Sequence, residues 1–263
     1  MPFMALPREV RDMIYDEIWK DSANIGGVLR EVKSSHQSDH VPEQHEVEIT
    51  YKSPSLAENV TNSLPTWLLT CRDILQEGIA QLHREGVWNL DTVGWFVWQK
   101  PLQSPMIFPS MGRKVRIHTW IDIDLIENVR PGLHISLSSS NYLADILAIV
   151  TGQTAVEEVR LQMIIHTGTR YGNIGMPNSG KFPVNLDCLY AFRSAFPSLH
   201  TLRIVLYHKQ CLTSIADPVW DAIVLSTKEE IQKVSRAVIR EEIRTVEATY
   251  EDGSRTTLET RRN

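Results

Sequence analysis

The stretch of this chain whose residue types could most readily do chemistry is Gly-Met-Pro-Asn-Ser-Gly-Lys, which runs from Gly175 to Lys181. Its two glycines and its lysine have the spacing of a phosphate-binding loop, in which backbone N–H groups and the lysine cradle phosphates. The next residue, Phe182, offers no hydroxyl to Mg²⁺, and Pro183 disfavours helical angles at Phe182, where such a loop opens into a helix. We therefore interpret the segment as part of a surface loop over residues 167–181, rich in Gly, Asn and Ser.

Two aspartates could form a carboxylate pair for acid–base chemistry. Asp122 and Asp124 occupy alternate positions of a predicted strand, so both project from one face. Alternation on a half-exposed strand produces the same pattern without chemistry, and we interpret the pair in that way. The chain also has no Gly-x-Ser-x-Gly nucleophile elbow and no His-Glu-x-x-His zinc helix.

A short polar run could be imagined as a metal site. It contains His36, Asp39, His40, Glu43 and His45. Pro42 prevents these residues from lying on one helix, and a flexible loop is a poor template for coordination. We interpret the run as a solvated loop. We expect no catalytic residue, no cofactor and no metal, so the protein is predicted not to be an enzyme.

Composition limits the classes of partner and the cellular compartment that we expect for this chain. The chain has 263 residues, a net charge of −5, 42% hydrophobic and 22% charged residues, which is ordinary for a soluble globular protein. This charge gives no footprint for nucleic acid or for a membrane surface. Cys71, Cys188 and Cys211 fit buried thiols of a reducing compartment. The longest apolar run, 142–150, is too short to span a bilayer. We expect an intracellular protein, cytoplasmic or nuclear.

The elements that would position these residues follow from periodicity. Pro7 suits the first position of a helix whose apolar stripe recurs at three- and four-residue steps. The stripe consists of Leu6, Val10, Met13, Ile14 and Ile18. Residues 20–62 indicate an insertion with paired edge strands at 28–33 and 45–51. A second helix begins near Pro65 and ends at Gly86, with apolar positions 68, 71, 74, 75, 78, 79 and 82 on its buried face.

The remainder alternates between strands and helices. Strands are predicted at 87–98, 113–125, 133–137, 156–165 and 202–207, and helices at 141–150, 186–196 and 227–247. Val115-Arg-Ile117, Val159-Arg-Leu161 and Leu202-Arg-Ile204 share one pattern, and their first residues are 44 and 43 positions apart. We prefer a mixed sheet with helices on one face to a leucine-rich-repeat solenoid as the source of this period. Residues 251–254 either close a hairpin or belong to a frayed end.

Strand parity assigns the three tryptophans of the strand predicted at 87–98 to the core or to the surface. Trp88 and Trp98 share one face and are predicted to be core, whereas Trp95 is a surface candidate.

Two segments carry a resemblance to a known family. Phe3, Leu6-Pro7, Glu9, Arg11, Ile14-Tyr15 and Ile18 look like the opening of the F-box and F-box-like domains abundant in filamentous fungi. Trp67-Leu-Leu-Thr-Cys-Arg-Asp-Ile-Leu-Gln-Glu-Gly-Ile-Ala-Gln-Leu82, with Arg84-Glu85, is similar to the second helix of those proteins. Glu9 and Arg11 also fit the first motif of a related fungal domain with paired Glu-x-Arg motifs, whose second motif is missing here. The resemblance covers residues 3–19 and 67–85.

The resemblance, together with the elements predicted from periodicity, implies an α+β protein in three parts that form one compact unit. These are F-box-like helices over 1–86 with the 20–62 insertion, a mixed sheet with irregular leucine-rich-repeat-like units over 87–226, and a charged helix and tail over 227–263. It also implies an adaptor of an SCF-type ubiquitin ligase that binds Skp1 through the N-terminal helices and holds a protein substrate. The implied Skp1 face is Leu6, Pro7, Val10, Ile14 and Ile18.

A second hypothesis stays open because the two matching helices are far apart in sequence. The stripe of the first helix could instead be consumed internally, with Ile14 and Ile18 packing on Leu68, Ile74 and Leu75. The protein would then be a stand-alone interaction scaffold of F-box-like descent that does not bind Skp1.

Overall fold

The computed structural model describes residues 2–32, 43–51, 60–91, 112–126, 132–137, 143–144, 147, 155–166, 176–208, 217–239, 243–250 and 253–261. Helices and a mixed β-sheet make the chain α+β, which confirms the predicted fold class. The chain divides into two units, Met1–Arg116 and Ile117–Asn263.

The first unit contains two helices, and a 3₁₀ turn precedes each of them. A 3₁₀ turn over Phe3–Ala5 precedes helix α1, Arg8–Lys20, and a second over Thr66–Thr70 precedes helix α2, Arg72–Glu85. Pro7 is the residue before α1, with extended angles, so it lies one position earlier than predicted. The predicted helix start near Pro65 marks the 3₁₀ turn instead, whereas Gly86 ends α2 as predicted.

The strands of the first unit are β1 (Asn24–Val32), β2 (Glu43–Tyr51), β3 (Val60–Thr61) and β4 (Gly86–Asp91). The predicted insertion over residues 20–62 contains β1, β2 and β3, and β4 follows α2. β1 pairs antiparallel with β2, which confirms that pairing, and parallel with β3. The prediction that β2 is an edge strand is wrong, because its other side pairs antiparallel with β4. Glu43 and His45 belong to β2 and not to a loop, and residues 36, 39 and 40 lie outside the described residues.

Alternation along these strands separates a buried apolar face from a polar one. Val47, Ile49 and Tyr51 of β2 are buried, and Ile49 pairs in register with the fully buried Trp88 of β4. This confirms Trp88 as core, whereas Trp95 and Trp98 lie outside the described residues. A Cβ at Gly112 would come within 2.1 Å of the Trp88 indole, so glycine allows the backbone to pass directly over that ring.

The second unit is built on a mixed sheet. Its strands are β5 (Lys114–Ile126, which begins at the end of the first unit), β6 (Gly132–Ser136), β7 (Glu158–His166), β8 (Val184–Asn185), β9 (Thr201–His208), β10 (Ile243–Tyr250) and β11 (Gly253–Arg261). The order is β10-β11-β9-β7-β5, and β6 pairs with β5 and β8. β7 and β9 are parallel neighbours, with Val159 opposite Leu202 and Leu161 opposite Ile204. The 43-residue spacing between the two motifs therefore separates residues that are paired in register on adjacent strands.

Three helical segments of the second unit differ from their predicted bounds. Leu143, Ala144 and Leu147 are helical, and the rest of 141–150 lies outside the described residues. The predicted helix over 186–196 is a 3₁₀ turn, Asp187–Ala191, followed by the short helix α3, Phe192–Ala195. Helix α4 covers Asp217–Ile239 instead of 227–247.

The segment after α4 is strand, not helix and tail. β10 and β11 form an antiparallel hairpin in which Tyr250 pairs with Gly253, and β11 continues antiparallel onto β9. Its threonine-rich, alternating sequence favours strand over helix. Ile231, Val234 and Val238 are buried on α4, whereas Ile243 lies in β10.

Within the part of the chain that the structure describes, we find no helix that is both long and apolar enough to span a membrane.

Candidate protein-interaction face

Two aromatic side chains fix the inner face of α1. Tyr15 and Trp19 are one helical turn apart, and their exposed fractions are 1% and 2%. Both pack on Trp67 of the second 3₁₀ turn, Tyr15 stacked at 5.9 Å and Trp19 edge-on at 5.1 Å between ring centroids. The Trp19 indole N–H donates to the Gly78 carbonyl of α2 at 3.0 Å. This contact satisfies the polar tip of a buried tryptophan and sets the depth of α1 on α2.

A glycine permits this close packing. A Cβ at Gly78 would come within 2.3 Å of Leu68 Cδ2 and 3.0 Å of Trp67 Cη2. The small residue therefore brings the 3₁₀ turn, with its buried Leu68, directly against α2.

A charged cluster, made of Arg8, Arg11, Tyr15 and Glu77, joins the same two helices. Arg11 donates two hydrogen bonds to the Glu77 carboxylate, at 2.9 Å and 2.8 Å, and Arg8 Nη1 lies 2.7 Å from Glu77 Oε1. The Tyr15 hydroxyl donates to Glu77 Oε2 at 3.1 Å. The Arg11 hydrogen bonds are the largest cause that lowers the pKa of Glu77. Burial, then the Glu77 hydrogen bond, raises the pKa of Tyr15. Because Arg11 and Glu77 are largely covered, their two-point contact also fixes the rotation of α1.

A second polar contact ties α1 to the sheet. The Tyr51 hydroxyl of β2 donates to Asp16 Oδ1 at 2.6 Å and accepts from Gln81 Nε2 of α2 at 2.9 Å. The Arg84 guanidinium reaches Asp12 Oδ2 at 3.1 Å. Hydrogen bonds from β2 and α2 therefore hold the polar residues that flank Tyr15 and Trp19 on the inner side of α1.

The predicted stripe of α1 lies mostly away from this inner face. Met13 and Val10 are 70% and 39% exposed, whereas Leu6, Ile14 and Ile18 are half-buried and Pro7 is exposed. Met13 is about 200° of helix rotation from Tyr15, which explains the difference. The buried positions of α1 are occupied by Tyr15 and Trp19, two aromatic residues that do not belong to the predicted stripe. Within the described part of the chain, the centre of the stripe is therefore uncovered.

The prediction for the second helical segment is correct in part. Leu68, Gly78, Ile79 and Leu82 are buried, and Ile74 and Leu75 are half-buried. Cys71 is exposed, which contradicts its assignment as a buried thiol. It precedes α2 in an extended conformation, where its Sγ accepts the Ile74 N–H at 3.5 Å. Leu69 of the 3₁₀ turn is 65% exposed and was not singled out by sequence.

The other cysteines are not part of this face. Cys188 is half-buried, and burial raises the pKa of its thiol to about 11. Cys211 lies outside the described residues.

The loop that carries the phosphate-loop spacing has a structural role over its described part, 176–181. Lys181 Nζ pairs with Glu229 Oε2 of α4 at 2.7 Å, and the Phe182 N–H donates to Ser226 Oγ at 3.1 Å. Gly180, with φ of +67°, closes a turn by donating to the Pro177 carbonyl at 2.8 Å. These contacts agree with a surface loop held on α4.

The remaining candidates for acid–base chemistry are the two aspartates of β5. Asp122 and Asp124 occupy alternate positions of β5, and their side chains are outside the described part of the structure. Across the described ranges, no group of three or more His, Cys, Asp or Glu could hold a metal ion.

Comparison of the chain with protein-family models, with curated proteins and with solved structures finds no match in any of the three.

Proposed function

We propose that this chain is a non-enzymatic, F-box-like adaptor that binds Skp1 through the outer face of α1 and holds a protein substrate for an SCF-type ubiquitin ligase. The observation that carries the proposal is the exposure of Val10 and Met13 on a helix whose opposite face is fixed by Tyr15 and Trp19. An amphipathic helix with its apolar residues turned outward suits a hydrophobic groove on a partner.

The energetics favour such docking. Full burial of an exposed Met or Val side chain contributes about 1.5–3 kcal/mol. The Glu77 cluster and the Trp19–Gly78 hydrogen bond already hold α1 in place, so a partner would not have to order the helix. Leu69, exposed on the neighbouring 3₁₀ turn, offers a further apolar side chain.

A specific observation favours the alternative, a stand-alone scaffold of F-box-like descent that does not bind Skp1. The segment between the two helices supplies β1 and β2, and Tyr51 of β2 contacts both α1 and α2. The helices of this chain therefore pack on a sheet inside their own unit. In the alternative, the outer face of α1 meets a different protein or none.

Co-purification with Skp1 separates the two. We expect the parent chain to retain Skp1 and Met13→Glu to lose it, because a carboxylate in an apolar groove is costly to desolvate. The matched control is Leu225→Glu, since Leu225 is 55% exposed on α4 in the second unit. It should bind Skp1 like the parent. Absence of Skp1 from the parent sample, or equal retention by Met13→Glu, contradicts the adaptor.

A further inference from the structure

The sheet of the second unit ends on a strand that pairs on one side. β10 lies at the end of the strand order, and among the described strands its one partner is β11. The two strands pair without interruption, from Ile243 opposite Thr260 to Tyr250 opposite Gly253. A strand in this position presents alternate N–H and C=O groups along its outer edge, and these groups can hydrogen-bond to a further strand.

The sequence of β10 lacks the features that usually protect such an edge. Natural proteins shorten edge strands or place proline, lysine or a bulge in them. The strand at the end of the first unit's sheet, β3, is short, with two residues. β10, by contrast, has eight residues, contains no proline, glycine or lysine, and pairs in a register without a shift. Its outer edge is therefore suited to pairing with another strand.

The composition of β10 favours a partner strand of identical sequence. Arg244 and Glu247 are its two charged residues, and because their signs are opposite the strand is neutral. Segments with high β-propensity, no net charge and no proline pair readily with identical copies of themselves. Most residues of β10 are of the β-branched or aromatic types that favour strands, namely Ile243, Thr245, Val246, Thr249 and Tyr250.

We propose that two copies of this chain form a dimer in which β10 pairs antiparallel with β10 of the second copy. The pairing would join the sheets of the two second units into one continuous sheet. A second copy presents an edge of the same length, and a twofold axis normal to the sheet relates the two strands. The dimer does not depend on Skp1, because β10 belongs to the second unit and α1 to the first.

Charge selects one register of this dimer. Pairing centred on Val246 joins seven residues of each β10, with Ile243 opposite Thr249 of the second copy. A centre at Glu247 also joins seven residues, but it places two carboxylates directly opposite each other, which is destabilising. A centre at Thr245 leaves five residues of β10 in pairs. Val246 therefore lies on the twofold axis, where a pairing of this length forms about six to eight backbone hydrogen bonds.

Cysteine crosslinking of the full chain tests this register. All variants also carry Cys71→Ser, because the thiol of Cys71 is exposed and could crosslink by itself. Val246→Cys places two Cα atoms about 4.5–5.5 Å apart across the axis, within the range of a disulfide. Ala248→Cys is the matched control, since it lies on the same face of β10 but more than about 10 Å from its copy. Under mild oxidation, we expect a disulfide-linked dimer from Val246→Cys and monomer from Ala248→Cys in non-reducing electrophoresis.

Sedimentation equilibrium measures the same dimer without a crosslink. The parent chain should sediment with twice the mass of one chain. Val246→Lys should raise the dissociation constant at least about tenfold, because two like charges would lie opposite each other on the axis. The control is Leu225→Lys, since Leu225 is 55% exposed on α4, and this variant should dimerise like the parent. Far-UV circular dichroism checks that each variant is folded.

The proposal is overturned if the parent is a monomer at about 100 μM, and the edge of β10 would then be left to strands of other proteins. It is also overturned if Val246→Cys crosslinks no more than Ala248→Cys, or if Val246→Lys dimerises as tightly as the parent. If Val246→Lys unfolds, the two cysteine variants still decide, because each introduces a small side chain. Skp1 is absent from these assays, so failure here leaves the Skp1 experiment independent.

Discussion

The rotation of α1 about its axis can be tested by truncating one residue on each side of the helix. Trp19→Ala removes a side chain that is 2% exposed and contacts Trp67 and Tyr51. Loss of a buried aromatic side chain typically costs about 3–5 kcal/mol in free energy of unfolding. The same change leaves the Gly78 carbonyl without its indole donor, which places the cost toward the upper end.

Met13→Ala is the partner measurement on the outer side. Met13 is 70% exposed, so its truncation should change the free energy of unfolding by less than about 0.5 kcal/mol. Alanine is also a slightly better helix former than methionine, which opposes any small loss.

Urea unfolding followed by far-UV circular dichroism compares the two variants with the parent. The expected difference between them is about 3 kcal/mol or more, a large part of the stability of an ordinary domain. A loss above about 2 kcal/mol for Met13→Ala, or below about 1 kcal/mol for Trp19→Ala, would refute the observed rotation. The stripe read from the sequence would then be the true core face.

Three further outcomes follow from contacts in the first unit. Gly112→Ala should destabilise by about 1–3 kcal/mol in urea, because the new Cβ overlaps the buried Trp88 ring, and stabilisation would contradict that contact. The pKa of Glu77 is lowered by Arg11, so its stabilisation is present above about pH 4.3 and is lost as the pH falls through the folded-state pKa. The urea midpoint of Glu77→Gln should therefore fall less steeply with decreasing pH than that of the parent. If the two midpoints depend on pH equally, the Glu77 cluster does not stabilise the fold as described. Burial lowers the pKa of His83, so the parent should lose stability as the pH drops below about 6.5. His83→Gln should flatten that part of the pH profile, and an unchanged profile would show that His83 is not the cause.

The sequence predicted the strands better than the helices, for a physical reason. Strand identity depends on local alternation, and the two residues that open the shared pattern, Val159 and Leu202, are partners in the register of β7 and β9. A hairpin turn at 251–254 was one of two alternatives, whereas residues 243–247, which belong to β10, were wrongly assigned to a helix. The start of α4 was missed although Asp217-Pro218 is an acceptable opening of a helix.

The rotation of α1 depended on contacts that no local pattern contains. Tyr15 and Trp19 are aromatic with polar tips, and they became core because Glu77 and Gly78, about sixty positions away, supply their hydrogen-bond partners. Counting aliphatic residues alone therefore selected the opposite side of the helix. The stripe nevertheless contains the exposed Val10 and Met13, and its role as a partner-binding face stays a prediction.

Photo-crosslinking tests the central claim most directly. A benzoyl-phenylalanine photoprobe at position 13 replaces an exposed side chain on the outer face of α1, and the same probe at position 225 serves as the control on α4. After irradiation with purified Skp1, the account predicts a covalent adduct from position 13 and none from position 225. No adduct from position 13, or equal adducts from both positions, would contradict it.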